Sequence, residues 1–253
     1  MTAPAASARP RRGLTGAQRA AALKPLDSAW TVLLVDPPGV RVLAWMVGRP
    51  WITPLRLTVA AQLVGVVATA AFALDLLALG AVLFELRFFV DCLDGKLARL
   101  RGETSRLGAA LDANSDKVVV LASYAALGGA AGEPWAAAAV AATYPLHFVL
   151  RDQRDALYAE AGLAKPVVAM SLGGLAGWLR RRRIFPTLTT IEVEHVALFV
   201  VPLLAAAGVD VVLPALAGSA AYFGLQGLRF GIATLRAARV LDGAGARPEG
   251  RDA

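Results

Sequence analysis

One cysteine, Cys92, occurs in the 253-residue chain, so an intrachain disulfide is excluded. Flanked as it is by acidic residues, that thiol reads as a small packing residue rather than a nucleophile. The two histidines, His147 and His195, fall in no zinc-ligand spacing. A lone histidine at the end of an apolar run is usually structural. No Walker-like glycine loop and no solenoid-type repeat occurs. Arg11-Arg12 is followed by neither a prompt apolar stretch nor a small-residue cleavage site, which argues against a twin-arginine signal. Charge is missing in places as well. Leu57 to Leu74 carries none, and that length is near the minimum for a bilayer-spanning helix.

What is there is apolar. Hydrophobic residues make up 57% of the chain, against about 45–50% in an ordinary soluble domain. After Leu57 to Leu74 come apolar segments at Leu76 to Val90, Val118 to Ala131, Pro134 to Leu150, Val196 to Val209 and Val211 to Leu228. Several reach spanning length only if flanking residues, such as Leu107 to Lys117, continue the same helix. The expected fold class is all-α: a polytopic membrane protein with six transmembrane helices and a short N-terminal interfacial helix. That short helix is expected over Pro37 to Gly48, where Val40, Leu43, Ala44 and Val47 share a face. An extra turn leading into the first span is the alternative. Residues 1–36 read as a partly disordered cytoplasmic segment, with Met1 to about Ala22 rich in Ala, Arg and Pro. Residues 37–240 read as the six-span domain and 241–253 as a cytoplasmic tail.

The cations choose an orientation. Of the 26 Lys and Arg, all but Arg87 lie before residue 57, in the 91–117 segment, in 151–195 or in the tail. The three short turns near Asp75, Gly132 and Asp210 have none. By the positive-inside rule both termini and the 91–117 segment face the cytoplasm of a multi-pass cell-membrane protein. The net charge of +7 therefore reads as attraction to anionic lipid at the membrane surface, not as a nucleic-acid footprint.

Residues 91–116 read DCLDGKLARLRGETSRLGAALDANSD. On helices, residues three or four apart share a face. Asp91 and Asp94 thus point one way, and Asp112 and Asp116 do the same on a second helix. Gly95, Gly102 and Gly108 between them can bend the chain back. Four carboxylates converging beside a bilayer are costly unless something positive neutralises them. A pair of hard divalent cations with oxygen ligands and a phosphate-bearing substrate would do so. An acidic site of this kind also suits a six-span transporter or lipid carrier with a metal-dependent gate. A transporter predicts matching inverted halves, and none is visible.

The pattern D-x-x-D-G-x-x-A-R, eight residues, then G-x-x-x-D-x-x-x-D resembles the signature of the CDP-alcohol phosphotransferase family. The positions that carry the resemblance are Asp91, Asp94, Gly95, Ala98, Arg99, Gly108, Asp112 and Asp116. The segment ITPLRLT also resembles the family's approach to its first span, with Leu55 where members often carry Asn. The resemblance implies transfer of a substituted phosphate from a CDP-alcohol, foremost CDP-diacylglycerol, to the hydroxyl of a small polar alcohol, with CMP released. It implies Mg2+, two per site, with Mn2+ as a substitute, and a homodimer in the lipid bilayer. Carried over by position, Asp91, Asp94, Asp112 and Asp116 are metal ligands, and Asp116 also deprotonates the acceptor. Gly95, Ala98, Arg99 and Gly108 bind the nucleotide. If the acceptor is glycerol 3-phosphate or an inositol phosphate, it needs cations, and the candidates are Lys117, Arg151, Arg154 and Arg180 to Arg183.

Overall fold

The structure, a computed structural model, describes residues 13–162 and 173–245. Arg11-Arg12 and most of the 241–253 tail lie outside the described residues. Among those described, the chain is all-helical, with a single isolated parallel bridge between Asp27 and Ile184.

Local chemistry sets the helix boundaries. Helix α1 (Gly16–Ala22) begins at Thr15, whose side chain and that of Gln18 satisfy each other's backbone amides in a capping box. Part of the segment read from composition as disordered is therefore ordered. A π-helical turn, Thr31–Val35, leads into α2 (Asp36–Met46), which covers most of the short helix expected over Pro37 to Gly48. Helix α3 (Pro54–Ala73) starts with Thr53 as N-cap and Pro54 in the first turn, where a missing amide costs nothing. Asp75, at φ 60°, turns the chain into α4 (Leu77–Arg101). That helix stops at Gly102 in the left-handed conformation, which glycine adopts without a Cβ penalty. After a short turn Ser105 caps α5 (Arg106–Ala130) by accepting the Gly108 amide. The two acidic pairs are thereby brought onto a helical hairpin.

Helix α6 (Pro134–Glu160) follows, then α7 (Gly173–Arg181) and α8 (Thr190–His195). Helix α8 runs through a π-helical turn, Val196–Val200, into α9 (Val201–Ala206). Pro202 lacks an amide and crowds the carbonyl four residues back, and the wider turn relieves that conflict. Helix α10 (Val212–Gly245) closes the bundle against α6.

The main core joins α3 to α6, the α8–α9 rod and α10 through Phe72, Phe84, Tyr124, Leu127, Leu198, Leu216 and Phe223. A smaller core under the N-terminal segment packs Leu14 and Ala22 on Leu43, Met46, Ile52, Leu93 and Leu97. Arg101 ties this layer down by donating to the carbonyls of Met46, Val47, Arg49 and Ile52 at 2.6–3.3 Å. The outside of α3 is a stripe of exposed Leu55, Val59, Leu63, Val66 and Val67 at helical spacing. Among the described residues, α3 alone is long and apolar enough by length and composition to cross a membrane. The other expected spans fall short of that criterion. Helix α4 carries Glu85 and Arg87, and α8 carries Glu192 and Glu194, polar groups that are hydrogen-bonded or ion-paired inside the bundle.

Close approach of α3, α4 and α5 depends on Gly65. A Cβ there would lie 2.6 Å from Val119 Cγ1 and 3.2 Å from Arg87 Cδ. Gly129 faces open space. We expect Gly65→Ala to destabilise by about 1–3 kcal/mol through overpacking. Gly129→Ala should be neutral or slightly stabilising, since alanine is the better helix former. Thermal unfolding of the detergent-solubilised variants checks both. Equal midpoints for the two would contradict the packing described.

Candidate active site

The α4–α5 hairpin opens onto a cavity of about 480 Å3. Its floor is acidic. Asp91 comes from α4, Asp112 and Asp116 from α5, and one oxygen from each lies within 4.8 Å of the others. Asp94, one turn beyond Asp91, also lines the cavity but is held toward α3, where its Oδ2 accepts the Thr58 hydroxyl at 2.5 Å. Asp116 Oδ1 accepts from Gln62 Nε2 at 3.0 Å and from the guanidinium of Arg87. Thr58 and Gln62 are four residues apart, so one face of α3 reaches both acidic helices.

The motif carboxylates lie beyond the apolar run that ends at Val90. Burial, compounded by repulsion from Asp116, pushes Asp91 and Asp112 above the usual carboxylate range. Burial raises Asp94 to about 7, against the opposing hydrogen bond from Thr58. Asp91 and Asp112 each keep a buried Oδ1 with no hydrogen-bond partner. Converging oxygens, unsatisfied and short of positive charge, are the donor set that a hard divalent cation takes. The residues therefore fit the metal that the sequence pattern implies.

Two buried cations among the described residues line this cavity, Arg87 and Lys96, and of these Arg87 pairs with the floor. Arg87 is almost wholly buried and its ion pair is with Asp116, which is partly exposed. Farther along the wall, the Tyr144 hydroxyl donates to Glu194 at 2.9 Å, and both residues line the cavity. Cys92 is in the lining too, and burial pushes its thiol up to about 12, which suits packing and not nucleophilic attack.

The nucleotide candidates separate. Gly95 and Arg99 line the cavity, whereas Ala98 and Gly108 do not. The Ala98 carbonyl closes the end of α4 by accepting the Glu103 amide, and Gly108 belongs to the cap of α5. Arg99 also donates from Nε to the Ala22 carbonyl at 3.0 Å. The acceptor candidates separate as well. Lys117 and Arg151 line the cavity, each stacked on Phe148, at 4.8 and 4.7 Å from the ring centre. Arg154 turns away to Phe230 and Asp155, and Arg180 is exposed and outside the lining. Arg183 braces the loop before α8, through Asp36 and the Lys24 carbonyl. His147 and His195 are buried among aromatic rings outside the cavity.

Sequence reasoning passed over Arg87, Thr58, Gln62, Tyr144 and Glu194. A signal for Arg87 existed. It precedes Asp91 by four residues and Asp94 by seven, so a lone charge in an apolar run shares the motif's face.

Residues 51–201, more than half of the chain and all of the acidic motif, match the CDP-alcohol phosphatidyltransferase family. The chain belongs to that family, whose members are transferases of substituted phosphate groups. It is thus an enzyme that moves a phosphate-containing group from a CDP-alcohol, and the transporter reading falls away. No curated protein matches the chain.

Removing Arg87 leaves acidic neighbours without their buried counter-charge. Arg87→Met should cost about 3–5 kcal/mol, toward the lower end because Asp116 is partly exposed. Asp116→Asn placed on top should return part of that loss. Unfolding midpoints of the two single variants and the double variant form the test. Strict additivity would mean that the pair is not coupled.

Proposed function

We propose that the chain is a six-span membrane phosphatidyltransferase that takes CDP-diacylglycerol as donor and a phosphate-bearing polar alcohol as acceptor. The observation that carries this reading is the convergence of Asp91, Asp112 and Asp116, with Asp94 beside them, in a cavity that Lys117 and Arg151 also line.

Asp91, Asp94, Asp112 and Asp116 would hold divalent metal, Mg2+ foremost. When bound, the metal neutralises the donor diphosphate and acidifies the acceptor hydroxyl. The protein's own residues do the rest. Asp116 accepts the acceptor's proton at Oδ2, since Oδ1 is held by Gln62 and Arg87. The acceptor oxygen forms a bond to the phosphorus that bears the diacylglyceryl group. The bond from that phosphorus to the bridging oxygen breaks, and CMP leaves with the bond's electron pair. Gly95 and Arg99, which line the cavity, would contact the nucleotide. Lys117 and Arg151 would hold the acceptor's phosphate by charge-assisted hydrogen bonds, which favours glycerol 3-phosphate or an inositol phosphate over an uncharged alcohol.

A lipid donor requires a cavity reached from the bilayer, and the exposed apolar stripe of α3 supports membrane placement. The expected topology has both termini and the 151–195 stretch cytoplasmic, because the cations cluster there. Single cysteines at Gly132 and Gly174, in a Cys92-free background, should label from opposite faces of the membrane. Labelling of both from one face would rule the arrangement out.

The chemistry is tested with purified protein, CDP-diacylglycerol, Mg2+ and a panel of polar alcohols, following CMP. Asp91→Asn, Asp94→Asn and Asp112→Asn should each remove most Mg2+-dependent release. Asp116→Asn should slow it by about 10²–10⁴-fold, the usual worth of a general base. Near-normal turnover by two of the first three variants would overturn the metal assignment.

A further inference from the structure

The family match begins at residue 51, yet the cavity has a wall that precedes it. Lys24, Asp27, Ser28 and Thr31 line the cavity together with the motif residues Asp91, Asp94 and Gly95. This strap is fastened from three sides. Asp27 exchanges backbone hydrogen bonds with the 183–185 segment, donating to the Arg183 carbonyl at 2.8 Å and accepting from the Phe185 amide at 2.9 Å. Arg183 donates to the Lys24 carbonyl at 2.9 Å and to Asp36 Oδ2 at 2.9 Å. Asp36, nearly buried, also pairs with Lys96 of the motif helix at 3.2 Å. Arg99 holds the Ala22 carbonyl, and Glu192 of α8 accepts the Ala29 amide at 2.6 Å.

The cations around the cavity are mostly committed. Arg87 serves Asp116, Lys96 serves Asp36, Arg99 gives its Nε to the Ala22 carbonyl, and Lys117 and Arg151, beside Phe148, are the acceptor's cations in the reading above. Lys24 differs. Its carbonyl is fixed, but no hydrogen bond or ion pair among the described residues holds its ammonium. Asp27 also lines the wall, with its Oδ1 turned to the Ser28 amide at 2.9 Å. Lys24 follows by two residues Ala22, whose carbonyl Arg99 holds, and this keeps it on the cavity wall beside the nucleotide candidates Gly95 and Arg99. A free ammonium on an anchored backbone, facing carboxylates that would themselves carry cations, is placed for an anion lying between them.

We propose that Lys24 contacts the diphosphate of the bound CDP-alcohol. The Arg183–Asp36–Lys96 chain of ion pairs is the clamp that positions it. The strap thus makes the donor site a joint product of the family-matched bundle and the segment before it. This rests on the reading of the cavity as the donor site.

The probes are CDP and CMP, binding to the full-length protein in detergent with Mg2+, alongside steady-state kinetics. Lys24→Ala should weaken CDP binding and raise the donor KM by about tenfold, the worth of one charge-assisted contact. CMP binding, which lacks the second phosphate, should change much less. The kcat should hold within about twofold, because such a contact binds ground and transition states alike. Lys24→Arg should recover most of the loss. Arg183→Met should weaken CDP binding similarly, and adding Lys24→Ala to it should do little more. Lys24 is exposed, so its substitution reads out even if Arg183→Met fails to fold. Unchanged CDP affinity in Lys24→Ala, an equal loss for CMP, or a shift confined to the acceptor KM would each overturn the proposal. Wild-type protein that releases no CMP from any CDP-alcohol would instead sink the donor reading itself.

Discussion

Like charges in a low-dielectric site repel, and everything around this cavity answers to that constraint. Asp91, Asp94, Asp112 and Asp116 share one opening, and among the described residues a single buried guanidinium, Arg87, stands against them. Arg87 reaches its place because Gly65 leaves room for its stem and because α4 places it one turn before Asp91. Thr58 and Gln62 then orient Asp94 and Asp116 from α3. The arrangement neutralises only part of the acid. The remainder, including the unpartnered oxygens of Asp91 and Asp112, is left for a cation to satisfy. A transferase acting on a diphosphate needs that deficit, since a fully compensated cluster would have no call on metal.

The same economy explains the layer around α1 and α2. Asp36 is buried between Lys96 and Arg183, so one carboxylate joins α2, the motif helix and the loop before α8. Arg101 gathers four carbonyls at the end of α2. These ties fix the rim of the cavity without a large apolar core beneath it. The deeper rods are held by aromatic and aliphatic packing around Phe84, Tyr124 and Phe223.

Much of this was legible in the sequence where the signal was local. The helical hairpin followed from Gly102, Gly108 and the spacing of the aspartates. The family followed from eight motif positions, and the match over residues 51–201 agrees. Less legible was anything set by contacts between distant segments. Gly108 and Ala98 read as nucleotide contacts from the motif alone, but in the fold they serve the helix ends that close the hairpin. Arg154 and Arg180 read as acceptor ligands from charge alone, yet helical phase turns one toward α10 and leaves the other at the surface. The N-terminal segment is rich in Ala, Arg and Pro and looked unable to bury itself. Its order comes from Leu14 and Ala22 docking on α2 and α4, and from carbonyls claimed by Arg99 and Arg183. No composition argument reports such partners.

The central claim is that the acidic floor is a cation site left short of positive charge by design of the fold. Direct titration of the purified protein with Mn2+, followed by electron paramagnetic resonance, tests it without any need for turnover. The account predicts saturable Mn2+ binding that Mg2+ displaces and that is lost in the Asp91→Asn/Asp112→Asn double variant, with the variant still folded by circular dichroism. Equal Mn2+ binding by the wild type and the folded double variant would contradict it.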